Sequence, residues 1–97
     1  MKRVIYSEQA ITDLGGIFDY VAQHNPGAAE RLALGILDTC DLIAANPEIG
    51  TRRDSLSPGL RLFSHRGYAI YYRITDEAVR ITRFLHHARD VEQQSFD

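Results

Sequence analysis

The segment Arg83–Asp90, with the sequence RFLHHARD, is the densest group of chemically capable side chains in this 97-residue chain. Histidine can accept and donate a proton near neutral pH, and arginine can hold a phosphate group. Together they would suit general acid–base cleavage of RNA. The same residues could instead bind a metal, contact a partner protein, or tie the end of the chain to a sheet through Arg89 or Asp90.

The metal and hydrolase interpretations have little support in the sequence. Adjacent histidines on a strand point to opposite faces, so His86 and His87 would not meet at one ion. The single cysteine, Cys40, is distant in sequence, and metal sites need several convergent ligands. No nucleophile motif of a serine hydrolase accompanies the histidines. We therefore expect no metal site and no cofactor.

The composition is that of one ordinary globular domain spanning residues 1–97. Hydrophobic residues make up 44% of the chain and charged residues 25%, both typical of a protein with one core. No apolar run is long enough to cross a bilayer, and the first residues lack the apolar stretch of a signal peptide. A single cysteine excludes an internal disulfide and favours a reducing compartment. We expect a cytoplasmic protein that does not enter a membrane.

The charges are unevenly distributed, although the net charge is only −2. Residues 1–50 carry three cations and seven acids, whereas residues 51–97 carry eight arginines and six acids. Ten of the eleven cations are arginine, whose planar guanidinium suits paired contacts with carboxylates or phosphates. Proteins that grip nucleic acid backbones are usually basic overall. We therefore expect no direct binding of nucleic acid by this chain alone.

The first half of the sequence predicts one strand and two helices. Lys2–Tyr6 has the β-branched and aromatic residues of a strand, and Ser7 can cap the helix that follows. Asn25 and Pro26 are suited to the start of a second helix, which should stop before Pro47. So short a connection predicts an antiparallel helical hairpin. The predicted apolar faces are Ile11, Leu14, Phe18 and Val21 on the first helix, and Ala29, Leu32, Ala33, Ile36, Cys40 and Ile43 on the second.

The second half predicts a loop followed by three antiparallel strands. The strand-like runs are Leu60–His65, Tyr68–Thr75 and Ala78–Leu85, separated by two-residue turns. The resulting order is β-α-α-β-β-β. This order predicts an α+β, two-layer domain with an N-terminal helical hairpin packed on one face of a mostly antiparallel sheet.

A two-layer domain leaves the second face of its sheet uncovered, so side-chain alternation indicates what that face displays. Arginines interleaved with aromatic residues on an open sheet face are typical of a binding surface, although long arginine stems can also simply cover aromatic surface. Arg83 is discordant, because alternation places it on the helix side, where it would need an acidic partner, a bulge or a position near the rim. The residues predicted to display on the uncovered face are Arg61, Phe63, Tyr71, Arg73, Arg80, Phe84 and His86.

The order of elements and five short motifs together resemble one family of bacterial proteins. The motifs are DLGGIFDYV, ANPEIGTRRD, PGLRLF, YAIYYRI and TRFLHHARD. With the order of elements, the resemblance runs from the first strand to about Asp90. This ordered set resembles the ParE group within the RelE/ParE superfamily of toxins. The resemblance implies a toxin that is encoded beside an antitoxin and neutralised by it. ParE-like members are understood to poison DNA gyrase, whereas RelE-like members cut messenger RNA in the ribosome.

The resemblance leaves three functions open, of which gyrase inhibition fits best. A RelE-like nuclease would use Arg61 and Arg83 on the phosphate, with His86 or His87 as the proton donor. However, the chain has one lysine and an acidic net charge, and its LHHARD ending matches the ParE-like pattern better. We therefore expect a ParD-like antitoxin and DNA gyrase as partners, and no catalytic residues. Partner contacts would then include Arg83 and Arg89 together with the uncovered sheet face. The third alternative is a degenerate toxin that retains only antitoxin binding.

Overall fold

A five-stranded sheet and a pair of helices make up the computed structural model, which describes residues 1–87 and 91–96. The elements are β1 (Arg3–Tyr6), α1 (Glu8–Ala22), α2 (Pro26–Ala45), a 3-10 turn (Pro47–Ile49), β2 (Thr51–Arg52), β3 (Arg61–His65), β4 (Tyr68–Ile74), β5 (Ala78–His86) and a second 3-10 turn (Val91–Gln93).

Both helices begin at the residues that the sequence predicts as caps. The Ser7 hydroxyl accepts a hydrogen bond from the Ala10 amide at 3.0 Å. The Asn25 side chain accepts one from the Ala28 amide at 3.0 Å, and Pro26 occupies the first turn of α2. These side chains satisfy amides that the start of a helix otherwise leaves without a partner.

The sheet confirms the predicted α+β architecture. Its strand order is β1-β5-β4-β3-β2, with β1 parallel to β5 and the other pairs antiparallel. The helical hairpin packs on one face of this sheet. The two-residue strand β2 was not predicted, because it lies within a stretch whose proline, glycine and serine content indicates a loop.

The predicted faces of β3 are wrong. Phe63 packs with the core beneath the hairpin, and His65 Nδ1 lies 3.0 Å from the Thr39 hydroxyl on α2. Leu60 and Leu62 instead lie in a second cluster on the opposite face of the sheet. Alternation could not distinguish the faces, because apolar residues occur at both parities of this strand and both faces are covered.

A bulge in β5 reverses the predicted faces of its second half. Tyr72 pairs with Ile81 but Tyr71 pairs with Arg83, so Thr82 is the extra residue. Phe84 therefore packs beneath the hairpin and is only 2% exposed. His86 turns to the same side and Leu85 to the other. The prediction that Phe84 and His86 lie on the open face is wrong for this reason.

The second face of the sheet is also covered, contrary to the prediction. Leu60, Tyr71 and Leu85 are buried there, in one cluster with Phe96 and the partly buried Val91 from the last residues of the chain. The rings of Tyr71 and Phe96 are 4.7 Å apart. The segment Val91–Phe96, which we call the C-terminal cover, thus supplies a layer that the strand pattern does not predict.

Helix α1 is rotated relative to its predicted orientation. Ile11 and Phe18 were expected in the core but are 62% and 37% exposed, while Ala10 is fully buried and Ile17 packs against the core. Asp13 shares this inward face, since it lies at helical spacing from Ala10 and Ile17. Hydrophobic periodicity missed the orientation because it gives no weight to a buried carboxylate.

Candidate partner-binding site

Arg83 forms a buried ion pair that joins α1 to β5. Its Nε donates to Asp13 Oδ2 at 2.7 Å and its Nη2 donates to Asp13 Oδ1 at 3.0 Å. Both side chains are only 7% exposed. The discordant position of Arg83 is thus explained by its acidic partner, Asp13, and by the bulge in β5. A buried pair of this kind leaves an uncompensated charge if either partner is removed.

The same network extends in two further directions. Asp13 Oδ2 also accepts a hydrogen bond from the Phe84 amide at 3.1 Å. The last pair between β1 and β5 is Tyr6–Ile81, so Phe84 lies in the part of β5 that β1 does not cover. Arg83 Nη1 donates to the Ser95 carbonyl at 3.0 Å. Arg83 therefore holds the C-terminal cover as well as α1. Nothing in the sequence connects Ser95 to this role, whereas the discordant position of Arg83 was a detectable signal that an acid could lie beside it.

Arg61 has a structural role at the opposite edge of the sheet. Its Nη1 donates to the carbonyls of Glu48 and Gly50, at 3.3 and 2.9 Å. The Tyr72 hydroxyl donates to the Pro47 carbonyl at 2.7 Å and accepts the Gly50 amide at 2.8 Å. A Cβ on Gly50 would come within 2.5 Å of that hydroxyl. The NPEIG motif is thus a segment fixed by Arg61 and Tyr72.

Arg73 holds the cover and the loop before β3 together. Its guanidinium donates to the Phe96 carbonyl at 2.5 Å, to the Pro58 carbonyl at 3.3 Å and to the Ser57 hydroxyl. Arg80, its register partner on β5, is exposed. Three arginines were predicted on the second face of the sheet. Arg61 lies on the other face and Arg73 is partly buried, so among these three only Arg80 presents its side chain mainly to solvent.

The two histidines of the Arg83–Asp90 segment face different surroundings. His86 lies edge-on to the Tyr68 ring at 5.3 Å, and His87 Nε2 lies 3.1 Å from the Ser64 hydroxyl. Arg89 and Asp90 fall outside the described residues. Arg61 pairs with Tyr72 of β4, and His86 pairs with Tyr68 of the same strand. Four residues of β4 therefore separate Arg61 from His86, a distance of about 13 Å along that strand. The four residues considered for a nuclease therefore do not share one cleft.

An apolar groove is lined by both helices of the hairpin and by Tyr6 of β1 and Phe84 of β5. Its volume is about 330 Å³, and nearly all of its exposed surface is apolar. A Cβ built on Gly15 would have no atom within 4 Å, so this glycine leaves open space at the groove. The residues that line the groove, called the hairpin groove below, are Tyr6, Ile11, Leu14, Gly15, Phe18, Ala33, Leu37 and Phe84.

A second, more polar groove lies between α1 and the end of β5. It has a volume of about 560 Å³, and its lining includes Asp13, Tyr20, Tyr68 and His86. The Asp13 carboxylate in this lining is paired with the Arg83 guanidinium. Sequence reasoning predicted neither groove, because both depend on the rotation of α1 and the bulge in β5.

In the part of the chain that the structure describes, these surfaces carry neither a metal cluster nor a reactive thiol. Within the described parts of the chain, no group of three or more His, Cys, Asp or Glu side chains could hold a metal ion. Cys40 is fully buried, as its place on the apolar stripe predicts, and burial raises the pKa of its thiol to about 12. No helix in the described ranges is both long and apolar enough to span a membrane.

The fold and the sequence together define a toxin of a type II toxin–antitoxin system. Residues 4–91 match the family model of the ParE toxin of the type II toxin–antitoxin system parDE. The chain belongs to this family, as the sequence motifs indicated. A solved structure from the chromosomal ParDE system of P. aeruginosa has the same fold, with a TM-score of 0.73 over 89% of this chain and 96% of that one, at 24% identity.

Relatives within the family carry both ParE and RelE names. The chain is 36% identical to Toxin RelE2 of Caulobacter vibrioides over 92% of its own length and 99% of the relative's. It is 35% identical to Toxin ParE1 of Mycobacterium tuberculosis over 67% of each chain. It is 33% identical to Toxin ParE3 of Caulobacter vibrioides over 88% of its own length and 86% of the relative's. Because both ParE and RelE names occur among these relatives, the names do not distinguish a gyrase inhibitor from an endoribonuclease for this chain.

Proposed function

We propose that this toxin acts by binding DNA gyrase, without chemistry of its own, and that a ParD-like antitoxin neutralises it. The observation that carries the choice of a binding toxin is the engagement of Arg61 and Arg83. Arg61 donates to backbone carbonyls at one edge of the sheet, and the Arg83 guanidinium donates to the Asp13 carboxylate and the Ser95 carbonyl. A nuclease would need such arginines aimed at a phosphate.

The hairpin groove supports the antitoxin part of the proposal. It is apolar, lies on the protein surface and is bordered by two helices, which is the geometry that receives an amphipathic helix. The solved P. aeruginosa relative comes from a system named for both a ParD and a ParE component. An antitoxin helix in this groove would bury Ile11 and Phe18, which are otherwise large exposed apolar side chains.

The decisive experiment expresses the chain from a tightly repressed promoter and compares two readouts. We expect growth arrest with induction of the DNA-damage response, and purified protein that increases cleaved DNA in a gyrase assay. We expect no cleavage of messenger RNA, with or without ribosomes. Ribosome-dependent cleavage that disappears in His86→Ala or His87→Ala would replace this proposal by an endoribonuclease. Expression without any arrest would indicate a degenerate toxin.

The antitoxin part has its own test. Leu37→Glu and Phe18→Glu place a charge in the hairpin groove, and each should weaken a complex with the protein encoded beside this chain. Thr51→Glu lies on β2, away from the groove, and serves as the control. A complex that tolerates both groove substitutions would place the antitoxin elsewhere.

A further inference from the structure

The rim of the hairpin groove is acidic on both sides. On α1, Glu8 precedes Ile11 by three residues and Asp19 follows Gly15 by four. On α2, Glu30 precedes Ala33 by three and Asp41 follows Leu37 by four. Residues three or four apart are neighbours on a helix surface, so each acid borders the apolar lining.

Within residues 1–87 and 91–96, these four carboxylates have no ion-pair partner. All four residues are exposed. The ion pairs in the described residues are Arg52–Asp54 and Asp13–Arg83, and neither involves the rim. Asp41 also acts on the groove wall, since the pKa of the Tyr6 hydroxyl is raised by burial, then by Cys40, and then by the Asp41 carboxylate.

The hairpin has only one cation, and it lies on another side. Residues 8–45 contain six acids and Arg31, a net charge of −5. Arg31 lines a different surface pocket, together with His65 and Arg66 at the β3–β4 turn. Around α2 it is displaced by about 100° from Glu30, so it does not oppose the acids of the rim. The groove therefore combines an apolar lining with a border of one charge sign.

We propose that the hairpin groove selects a cationic amphipathic helix, in which lysines or arginines flank an apolar stripe, and that Glu8, Asp19, Glu30 and Asp41 determine this selection. The inference rests on the proposed antitoxin role of the groove and specifies the chemistry of the segment that the antitoxin supplies. A cationic segment is the opposite of what the arginines of the second half of the chain would suit, because guanidinium groups pair with carboxylates or phosphates. Like charges opposed across an interface reject the wrong partner, while opposite charges guide the right one.

The test uses the purified full chain and two synthetic peptides of about 18 residues, long enough for marginal helix formation. Both peptides carry the same leucine stripe, but one is flanked by lysine and the other by glutamate. Fluorescence anisotropy should show that the lysine peptide binds on the order of tenfold more tightly at low salt, and the difference should shrink as salt screens the rim.

Two variants link the preference to the rim. Neutralisation of all four acids (Glu8→Gln, Asp19→Asn, Glu30→Gln and Asp41→Asn) should reduce the preference to about twofold or less. The control variant neutralises three exposed acids outside the hairpin (Glu48→Gln, Asp76→Asn and Glu77→Gln) and should keep it. Thermal melts establish that both variants fold. If the fourfold variant does not fold, the paired variants on α1 alone and on α2 alone should each lose part of the preference.

The outcomes separate this inference from the proposed function. Absence of binding by either peptide, equal binding of both, a preference for the glutamate peptide, or a preference that survives rim neutralisation would overturn the inference. The growth and gyrase readouts do not depend on these peptides. A chain that arrests growth but prefers the glutamate peptide refutes the inference alone. A chain that binds the lysine peptide but arrests nothing refutes the toxin proposal alone.

Discussion

The hairpin groove and the second face of the sheet are opposite surfaces that differ in charge and in cover. The groove is open, apolar and bordered by acids. The second face carries arginines and is covered over part of its area by Phe96 and its neighbours. The sequence favours the second face as the binding surface, because it interleaves arginines with aromatic residues. The folded chain instead fills much of that face with its own C-terminal cover.

The difference shows what the arginines of this chain do. Arg61, Arg73 and Arg83 each donate to backbone carbonyls of a segment outside the regular strands and helices. Such carbonyls must be paired wherever they are removed from water. The guanidinium group is suited to this because it carries five donors in a fixed plane. An arginine-rich half therefore indicates internal cross-linking here, and the open surface is found on the acidic half.

The largest effect should come from the ion pair that joins the two regions. Asp13→Ala leaves the Arg83 guanidinium buried without its carboxylate and should destabilise the fold by about 3–5 kcal/mol. Chemical denaturation would measure this loss. The matched control is Arg52→Ala, which removes an exposed ion pair and should hardly change the denaturation midpoint. Similar losses in both variants would mean that the burial of Asp13 and Arg83 contributes nothing.

The next effect distinguishes a core residue from a groove residue. Ile36→Ala removes a fully buried side chain beneath the hairpin and should cost about 2–5 kcal/mol. Phe18→Ala should cost much less, although it removes a larger side chain, because Phe18 is 37% exposed in the groove. Denaturation curves of the two variants make the comparison. A larger loss for Phe18 would restore the orientation of α1 that hydrophobic periodicity predicts.

The C-terminal cover should contribute an intermediate amount. Phe96→Ala removes the ring that contacts Tyr71 and should lower the free energy of unfolding by about 2 kcal/mol, since Phe96 is 6% exposed but lies near the chain end. Tyrosine fluorescence should report increased solvent access to Tyr71. Binding of the lysine-flanked peptide in the hairpin groove should not change. A weaker peptide complex would mean that the two surfaces are coupled.

The elements were predictable from the sequence, whereas the surfaces were not. Ser7, Asn25 and Pro26 fix the helix starts through local hydrogen bonds and a preset backbone angle, which depend on neighbouring residues alone. The faces of β3 and β5 depend on contacts that are distant in sequence. Thr82, the bulge residue, has no local signature. It shifts every later side chain of β5 and thereby moves Phe84 and His86 away from their predicted face.

The candidate site was missed for a related physical reason. Apolar residues on a helix predict which side meets the core only when every buried position is apolar. Asp13 violates this condition because Arg83, seventy residues later, neutralises it. The face of α1 that the sequence assigns to the core is therefore partly the lining of the hairpin groove.

The smallest effect concerns the two adjacent glycines of α1, which separate stability from binding. A Cβ on Gly15 or on Gly16 meets no atom within 4 Å, so alanine at either position should stabilise the helix by about 0.5–1 kcal/mol. Gly15 lines the hairpin groove, but Gly16 lines the groove beside His86. Gly15→Ala should therefore weaken binding of the lysine-flanked peptide several-fold, since its methyl group occupies space that the partner helix needs. Gly16→Ala should gain the same stability and leave peptide binding unchanged. Equal losses of affinity in both variants would show that the partner covers α1 from another side.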